Sequence, residues 1–246
     1  MFLRRLRAIK LEGASSRPAE SAFAAVGQEE LLATSDAAII DIRGWLNFGE
    51  GHFPGSWNVG LESPDFVASA GIFVEKTSRI LLVSEDCQQA CRAHLELLRA
   101  GFRNVAGFIE ARRLTILHRI TQLAVVDLKS TLSRGGKPEL LDVRPSNEWR
   151  STRIPGSTNI PLEMLPVRFS ELKRSKPLVV LCEDGYRSAV ASSWLQSKGF
   201  ESVHYLIGGM CAYGTVSLDN ILPAFSLSTV QPENPTSQGA RGIFAL

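Results

Sequence analysis

The feature that most restricts how this chain can fold is an internal repeat. Ile39-Ile40-Asp41-Ile42-Arg43 returns 101 residues later as Leu140-Leu141-Asp142-Val143-Arg144. At the same spacing, Phe53-Pro54-Gly55-Ser56-Trp57-Asn58-Val59 returns as Ile154-Pro155-Gly156-Ser157-Thr158-Asn159-Ile160. Further on, Arg79-Ile80-Leu81-Leu82-Val83 is matched by Pro177-Leu178-Val179-Val180-Leu181, and Gly101-Phe102 by Gly199-Phe200, now 98 residues apart. One loop deletion in the second copy accounts for the change of spacing. Four blocks in one order mean two copies of one module.

Each copy has the rhythm of an α/β domain. A helical stretch (residues 29–33 and 123–132) precedes a short apolar strand ending in Asp-x-Arg. A Pro-Gly-Ser turn leads to a brief extended piece, a helical patch and a second apolar strand. A longer helix then stops at Gly101 or Gly199, and a last strand (residues 203–206 in the second copy) precedes Gly208-Gly209. Strands alternating with helices predict a mainly parallel sheet covered on both faces. Ligands of such sheets bind beyond the carboxyl ends of the strands. The copies are expected to span residues 20–112 and 118–222. Residues 111–120 between them are amphipathic and are expected to form an ordered connector. Residues 223–246 form a polar, proline-rich tail.

Chemistry concentrates where the second copy's long apolar strand ends, at Cys182-Glu183-Asp184-Gly185-Tyr186-Arg187-Ser188. Strand, glycine-containing loop and helix start make a place where N–H groups converge and the helix dipole favours an anion. A free cysteine titrates near pH 8.5, and helix N-termini or cations lower that to roughly 3.5–7.5. Cys182 is therefore expected to be an exposed, easily ionised thiolate and the catalytic nucleophile.

Taken in order, Asp142-Val143-Arg144, Glu148-Trp149, Ile154-Pro155-Gly156-Ser157, the Cys182 loop and Gly208-Gly209 resemble the rhodanese, or sulfurtransferase, homology domain. The resemblance covers the second copy from end to end, and the first copy carries the same frame more faintly. The chain thus resembles a tandem of two rhodanese-like domains. It is also similar to the rhodanese half of proteins that fuse such tandems to a metallo-β-lactamase domain. Its four histidines (His52, His94, His118, His204) form no His-x-His-x-Asp-His motif.

The resemblance implies that Cys182 takes a sulfane sulfur as a persulfide and passes the outer sulfur to a nucleophilic acceptor. A small-molecule donor (thiosulfate or a persulfide) and a thiol or cyanide acceptor are the implied partners, with a protein persulfide as a further candidate and no cofactor. The N–H groups of Glu183, Asp184, Gly185, Tyr186, Arg187 and Ser188 would hold the anionic persulfide. Arg187 would contact an anionic substrate or pair with a buried carboxylate such as Asp142, and Ser188 would cap the next helix. From Cys182 to Arg187 there are six residues; related cysteine phosphatases use a loop one longer, which favours sulfur over phosphate. A non-enzymatic sulfur carrier or interaction module is the rival function.

Several positions depart from that pattern. Glu183 and Asp184 place two carboxylates at the pocket mouth, opposing a dianionic donor and the thiolate itself. Arg153 stands where the family often has histidine, a difference expected to be structural. In the first copy Ser84 replaces Cys182 and Gln89 replaces Arg187, so that copy is expected to be catalytically silent. Cys87, Cys91 and His94 share one helix face, but Cys91 is expected to be buried rather than a metal ligand, and no metal site is expected. Cys211 either resolves a persulfide or, preferably, packs as an inert thiol. Trp45, Trp57, Trp149 and Trp194 are expected to pack cores or the junction, and both Asp-x-Arg pairs to support the fold.

Composition sets the remaining bounds. A formal net charge of +2, from 27 Lys and Arg against 25 Asp and Glu, gives no argument for nucleic acid. No apolar run approaches the roughly 18–20 residues of a membrane span. Four cysteines without a secretory signal suggest free thiols in a reducing compartment, with cytoplasmic as the default. Residues 1–10 are basic and amphipathic, read as a surface helix in preference to a mitochondrial presequence. The oligomeric state is left open.

Overall fold

The computed structural model describes residues 23–216; the amphipathic start and the polar tail lie outside them. The first module runs β1 (Ala24–Ala25), α1 (Gln28–Ala33), β2 (Ala37–Asp41), α2 (Trp45–Glu50), β3 (Trp57–Asn58), α3 (Phe66–Phe73), β4 (Arg79–Ser84), α4 (Cys87–Arg99) and β5 (Val105–Glu110). The second runs β6 (Thr121–Leu123), α5 (Val125–Ser133), β7 (Glu139–Asp142), α6 (Ser146–Ser151), β8 (Thr158–Asn159), α7 (Leu165–Arg168), β9 (Leu178–Leu181), α8 (Tyr186–Ser197), β10 (Val203–Leu206) and α9 (Gly209–Thr215). The sheets repeat one order, β1-β5-β4-β2-β3 and β6-β10-β9-β7-β8, and every strand pairing is parallel. Two α/β sheets flanked by helices are thus what the repeat implied. The edge strands β1 and β6 were not legible in the sequence: two or three residues carry no periodicity, and Leu123 joins β6 rather than the helix.

Burial explains the central strands. All four residues of β9 are buried, as are five of the six in β4, which is what a parallel sheet covered on both sides requires. Helix α4 buries Ala90, Ala93 and Leu97, a single stripe at helical spacing. Helix α8 differs, for Ser188 to Leu195 are all buried. One side of α8 meets its own sheet and the other meets β3 of the first module, where Ser193 Oγ accepts the Asn58 N–H at 2.9 Å. Phe73 lies between Trp57 (5.3 Å) and Trp194 (4.9 Å), so residues of both modules form one continuous core. Each large side chain so buried contributes about 1.5–3 kcal/mol. Tyr205 reaches back to donate to the Trp45 carbonyl at 3.2 Å.

The connector is ordered, with Leu114 and Ile120 buried. It is tied to the first module where His52 and His118 exchange backbone hydrogen bonds of 2.9 and 2.8 Å. The His52 ring stacks on Phe48 at 3.9 Å, and its Nδ1 lies 3.0 Å from the Phe48 carbonyl. Burial pushes the His52 pKa down from 6.5 to about 4. Below pH 6.5 the unfolded chain takes a proton that the native histidine refuses. Stability is therefore expected to fall as pH drops from 6.5 toward 4, by about 3 kcal/mol from this group. Urea unfolding at pH 7 and pH 4.5 measures it, and in His52→Gln that part of the difference should vanish. No helix among the described residues is long and apolar enough to cross a membrane.

Candidate active site

Strand β9 ends at Leu181, so Cys182 is the first residue beyond its carboxyl end. Gly185 adopts φ +113°, a conformation costly for other residues, and this turns its N–H onto Cys182 Sγ at 3.1 Å. Ser188 Oγ sits 3.4 Å from the same sulfur while donating to the Gly185 carbonyl at 2.9 Å. Ser188 is therefore a wall of the sulfur site rather than the helix cap. The Tyr186 N–H is taken instead by the Asp184 carboxylate at 3.0 Å.

The expected exposed, readily ionised thiolate is not found in this conformation. Cys182 is 0% exposed, and burial pushes its pKa up; the Ser188 and Gly185 hydrogen bonds pull it down, and the Asp184 charge adds to the rise. A helix terminus lowers a thiol pKa only while the thiolate keeps its solvation or gains an equivalent set of donors. Here the Ser188 hydroxyl and N–H and the Gly185 N–H at 3.1 Å pull the other way, and burial outweighs them.

The rim is built from ion pairs. Arg144 holds the fully buried Asp142 through Nε and Nη2 (3.0 and 2.8 Å), donates from Nη2 to the Thr152 carbonyl at 2.6 Å, and reaches Glu183 through Nη1 at 2.9 Å. Arg43 repeats the first two contacts with Asp41 and the Gly51 carbonyl, so the Asp-x-Arg motif ties strand end to turn in both copies. Only the second copy extends it to the loop. Arg187 pairs with Glu148 at 3.3 Å and not with Asp142. Glu148 was visible in the sequence as part of the family pattern, but nothing there marked it as the partner of Arg187.

Two further elements clamp the loop. Tyr186 leaves it toward the first module, where Gly60 faces its ring; burial pushes its phenol pKa up, opposed by Ser69 and Ser63. On the other side, Met210 N–H donates to the Cys182 carbonyl at 2.8 Å and Cys211 N–H to the Glu183 carbonyl at 3.0 Å. Cys211 is exposed rather than packed, with Sγ 3.2 Å from the Glu183 carboxylate; the hydrogen bond to that carboxylate, and then its charge, raise the thiol pKa. Close approach depends on Gly209: a Cβ there would stand 2.4 Å from the Cys182 carbonyl oxygen, and φ is +55°. Gly209→Ala is expected to cost about 2 kcal/mol or more and to loosen the loop. Urea midpoints and turnover measured together would show it.

In the first copy α4 begins at Cys87, the position equivalent to Gly185, so the helix takes over a residue of the loop. Asp86 caps it by accepting the Gln89 N–H at 2.8 Å, and Gln89 Oε1 accepts the Glu85 N–H at 2.8 Å. Ser84 is fully buried beneath, its hydroxyl without a partner among the described residues. Two of the N–H groups of this loop are thus taken by its own side chains. Cys91 is exposed, contrary to expectation, because the apolar stripe of α4 runs through Ala90, Ala93 and Leu97 instead. His94 stacks on Phe23 at 4.2 Å. Among the described residues no group of three or more His, Cys, Asp or Glu side chains could hold a metal.

A parallel α/β module with a cysteine loop at the carboxyl edge of its sheet, carried twice and complete once, defines the class of this chain. The rhodanese-like domain family matches residues 27–110 and 125–215, and the chain belongs to that family. It is 31% identical over 84 residues to a protein named sulfurtransferase from Allochromatium vinosum, covering 34% of this chain and 78% of that one. It is 37% identical over 91 residues to a rhodanese-like/PpiC domain-containing chloroplastic protein of Arabidopsis thaliana, covering 35% of this chain and only 30% of that protein. Among solved structures, a rhodanese-related protein of Thermoplasma volcanium matches 38% of this chain and 89% of its own, at 29% identity and a TM-score of 0.35.

Proposed function

We propose that this chain is a sulfurtransferase that carries sulfane sulfur on Cys182. The observation that carries the reading is the six-residue loop after β9, with Cys182 Sγ held by the Gly185 N–H at 3.1 Å and by Ser188. The Cys182 thiolate attacks the outer sulfur of a donor persulfide. The donor's S–S bond breaks, its thiolate leaves and takes up a proton, and Cys182 retains the sulfur as a persulfide. A thiol or cyanide then attacks that outer sulfur and returns Cys182 to its starting form. Because Sγ is covered, rim side chains must yield before a donor can reach it. The half-buried Arg187–Glu148 pair, at 3.3 Å, is longer than the buried Arg144–Asp142 pair at 2.8 Å and is the part we assign to opening.

The donor follows from charge. Glu183, Asp184 and Glu148 surround the loop, and two of the three are matched by Arg144 and Arg187. Arg144 and Arg187 are already committed to those carboxylates, so a compact dianion such as thiosulfate gains little beside the loop and a persulfide is the preferred donor. Steady-state kcat/KM with thiosulfate and with glutathione persulfide tests this, cyanide being the acceptor. Persulfide should be favoured by about tenfold or more, and a preference for thiosulfate would overturn the donor assignment. Turnover with cyanide also separates a catalyst from a carrier that discharges only to a dedicated protein.

A further inference from the structure

The two copies carry the same side-chain stack 101 residues apart, with different surroundings. In the first, the His52 ring lies on Phe48, buried and sealed by the strand bridge to His118. In the second, the Arg153 guanidinium lies over Trp149 at 4.7 Å and is exposed. The indole is fixed in turn, because its Nε1–H donates to Ser157 Oγ at 2.9 Å. A guanidinium held over an aromatic ring still has N–H groups free for two-point contact with a carboxylate. Arg144 and Arg187 are committed to Asp142, Glu183 and Glu148. Among the described residues, no carboxylate lies within ion-pair distance of Arg153.

Arg153 lines a cleft of about 570 Å³ that also takes in Arg144, Glu148 and Glu183 from the rim of the loop, then Met210 and Tyr213. That volume is within the range of roughly 300–1,000 Å³ usual for small-molecule sites. Glu148 and Glu183 disfavour an anion beside them, whereas Arg153, on the same cleft, favours one. A ligand that suits both has its sulfur and its carboxylate separated by a spacer that can lie along Met210 and Tyr213.

We infer that this cleft seats the tail of a carboxylate-bearing thiol persulfide, and that Arg153 is the residue that selects for the carboxylate. The inference rests on the sulfur-transfer reading above and gives Arg153 a role where the sequence suggested only a structural difference. The test compares glutathione persulfide with cysteamine persulfide, which lacks a carboxylate, as donors to wild type, Arg153→Ala and Arg153→Lys, with cyanide as acceptor. In Arg153→Ala, KM for glutathione persulfide should rise about threefold to tenfold, as expected for one partly exposed charge contact. Its kcat should stay within about twofold. The ratio of kcat/KM for the two donors should fall accordingly, and lysine should restore part of it. Equal changes with both donors, or none with either, would overturn the inference while leaving sulfur transfer intact. Turnover of either donor by Cys182→Ser would remove the underlying reading instead.

Discussion

Cys182→Ser is expected to abolish sulfur transfer, lowering turnover by about a thousandfold or more, as loss of a covalent nucleophile does. The same variant should gain no sulfur adduct in the intact mass after exposure to a sulfane donor, whereas wild type should gain one sulfur. The protein contains its own precedent, since Ser84 occupies the equivalent position in the first copy. Ser84→Cys is not expected to create a second site. Helix α4 there begins at Cys87 and Gln89 closes onto the Glu85 N–H, so no open loop remains to receive a persulfide. Full activity in Cys182→Ser would defeat both the enzyme and the carrier interpretations.

Arg144→Ala is expected to have the largest effect on stability. Asp142 is fully buried, and its carboxylate is held by Nε and Nη2 of Arg144, leaving only a backbone N–H at 3.0 Å once the side chain is removed. Breaking one side of a buried pair costs about 3–5 kcal/mol, a large part of the roughly 5–15 kcal/mol that holds a protein folded. Arg43→Ala, which strips Asp41 in the first copy, should cost a similar amount. The two differ in one respect. Arg144 also holds Glu183, so its loss should change sulfur transfer in whatever protein remains folded, through a freed carboxylate at the pocket mouth. Urea unfolding of both variants, with turnover measured below the transition, separates the shared fold contribution from the part specific to the loop.

Much of this architecture was legible along the chain. The repeat blocks gave the two sheets, because strand and turn chemistry are local and a duplicated pattern must adopt a duplicated structure. The all-apolar run of β9 ending at Cys182, with Gly185 three residues on, likewise marks a strand–loop–helix site without reference to anything distant. The assignments that failed share a different character. A serine near a helix start ordinarily caps it, yet α8 begins two residues before Ser188 and its first N–H goes to Asp184. Cys91 aligns with the buried Ala189, 98 residues on, but α4 and α8 do not present the same faces. α8 is buried by its own sheet on one side and by the first module on the other, and α4 is covered by its own sheet alone.

What the sequence determined by itself was therefore the module, its duplication, the cysteine at the end of β9 and the loss of that cysteine in the first copy. Only the tertiary structure decided that Arg187 faces Glu148, that Arg144 spans from Asp142 to Glu183, and that Tyr186 is lodged against the first module. The same holds for the complete burial of Cys182. The physical reason is range. Secondary structure and turns follow from neighbours a few residues apart, whereas the charge, solvation and access of the sulfur depend on side chains 39 or more positions away in sequence, which meet only when the helices and sheets pack.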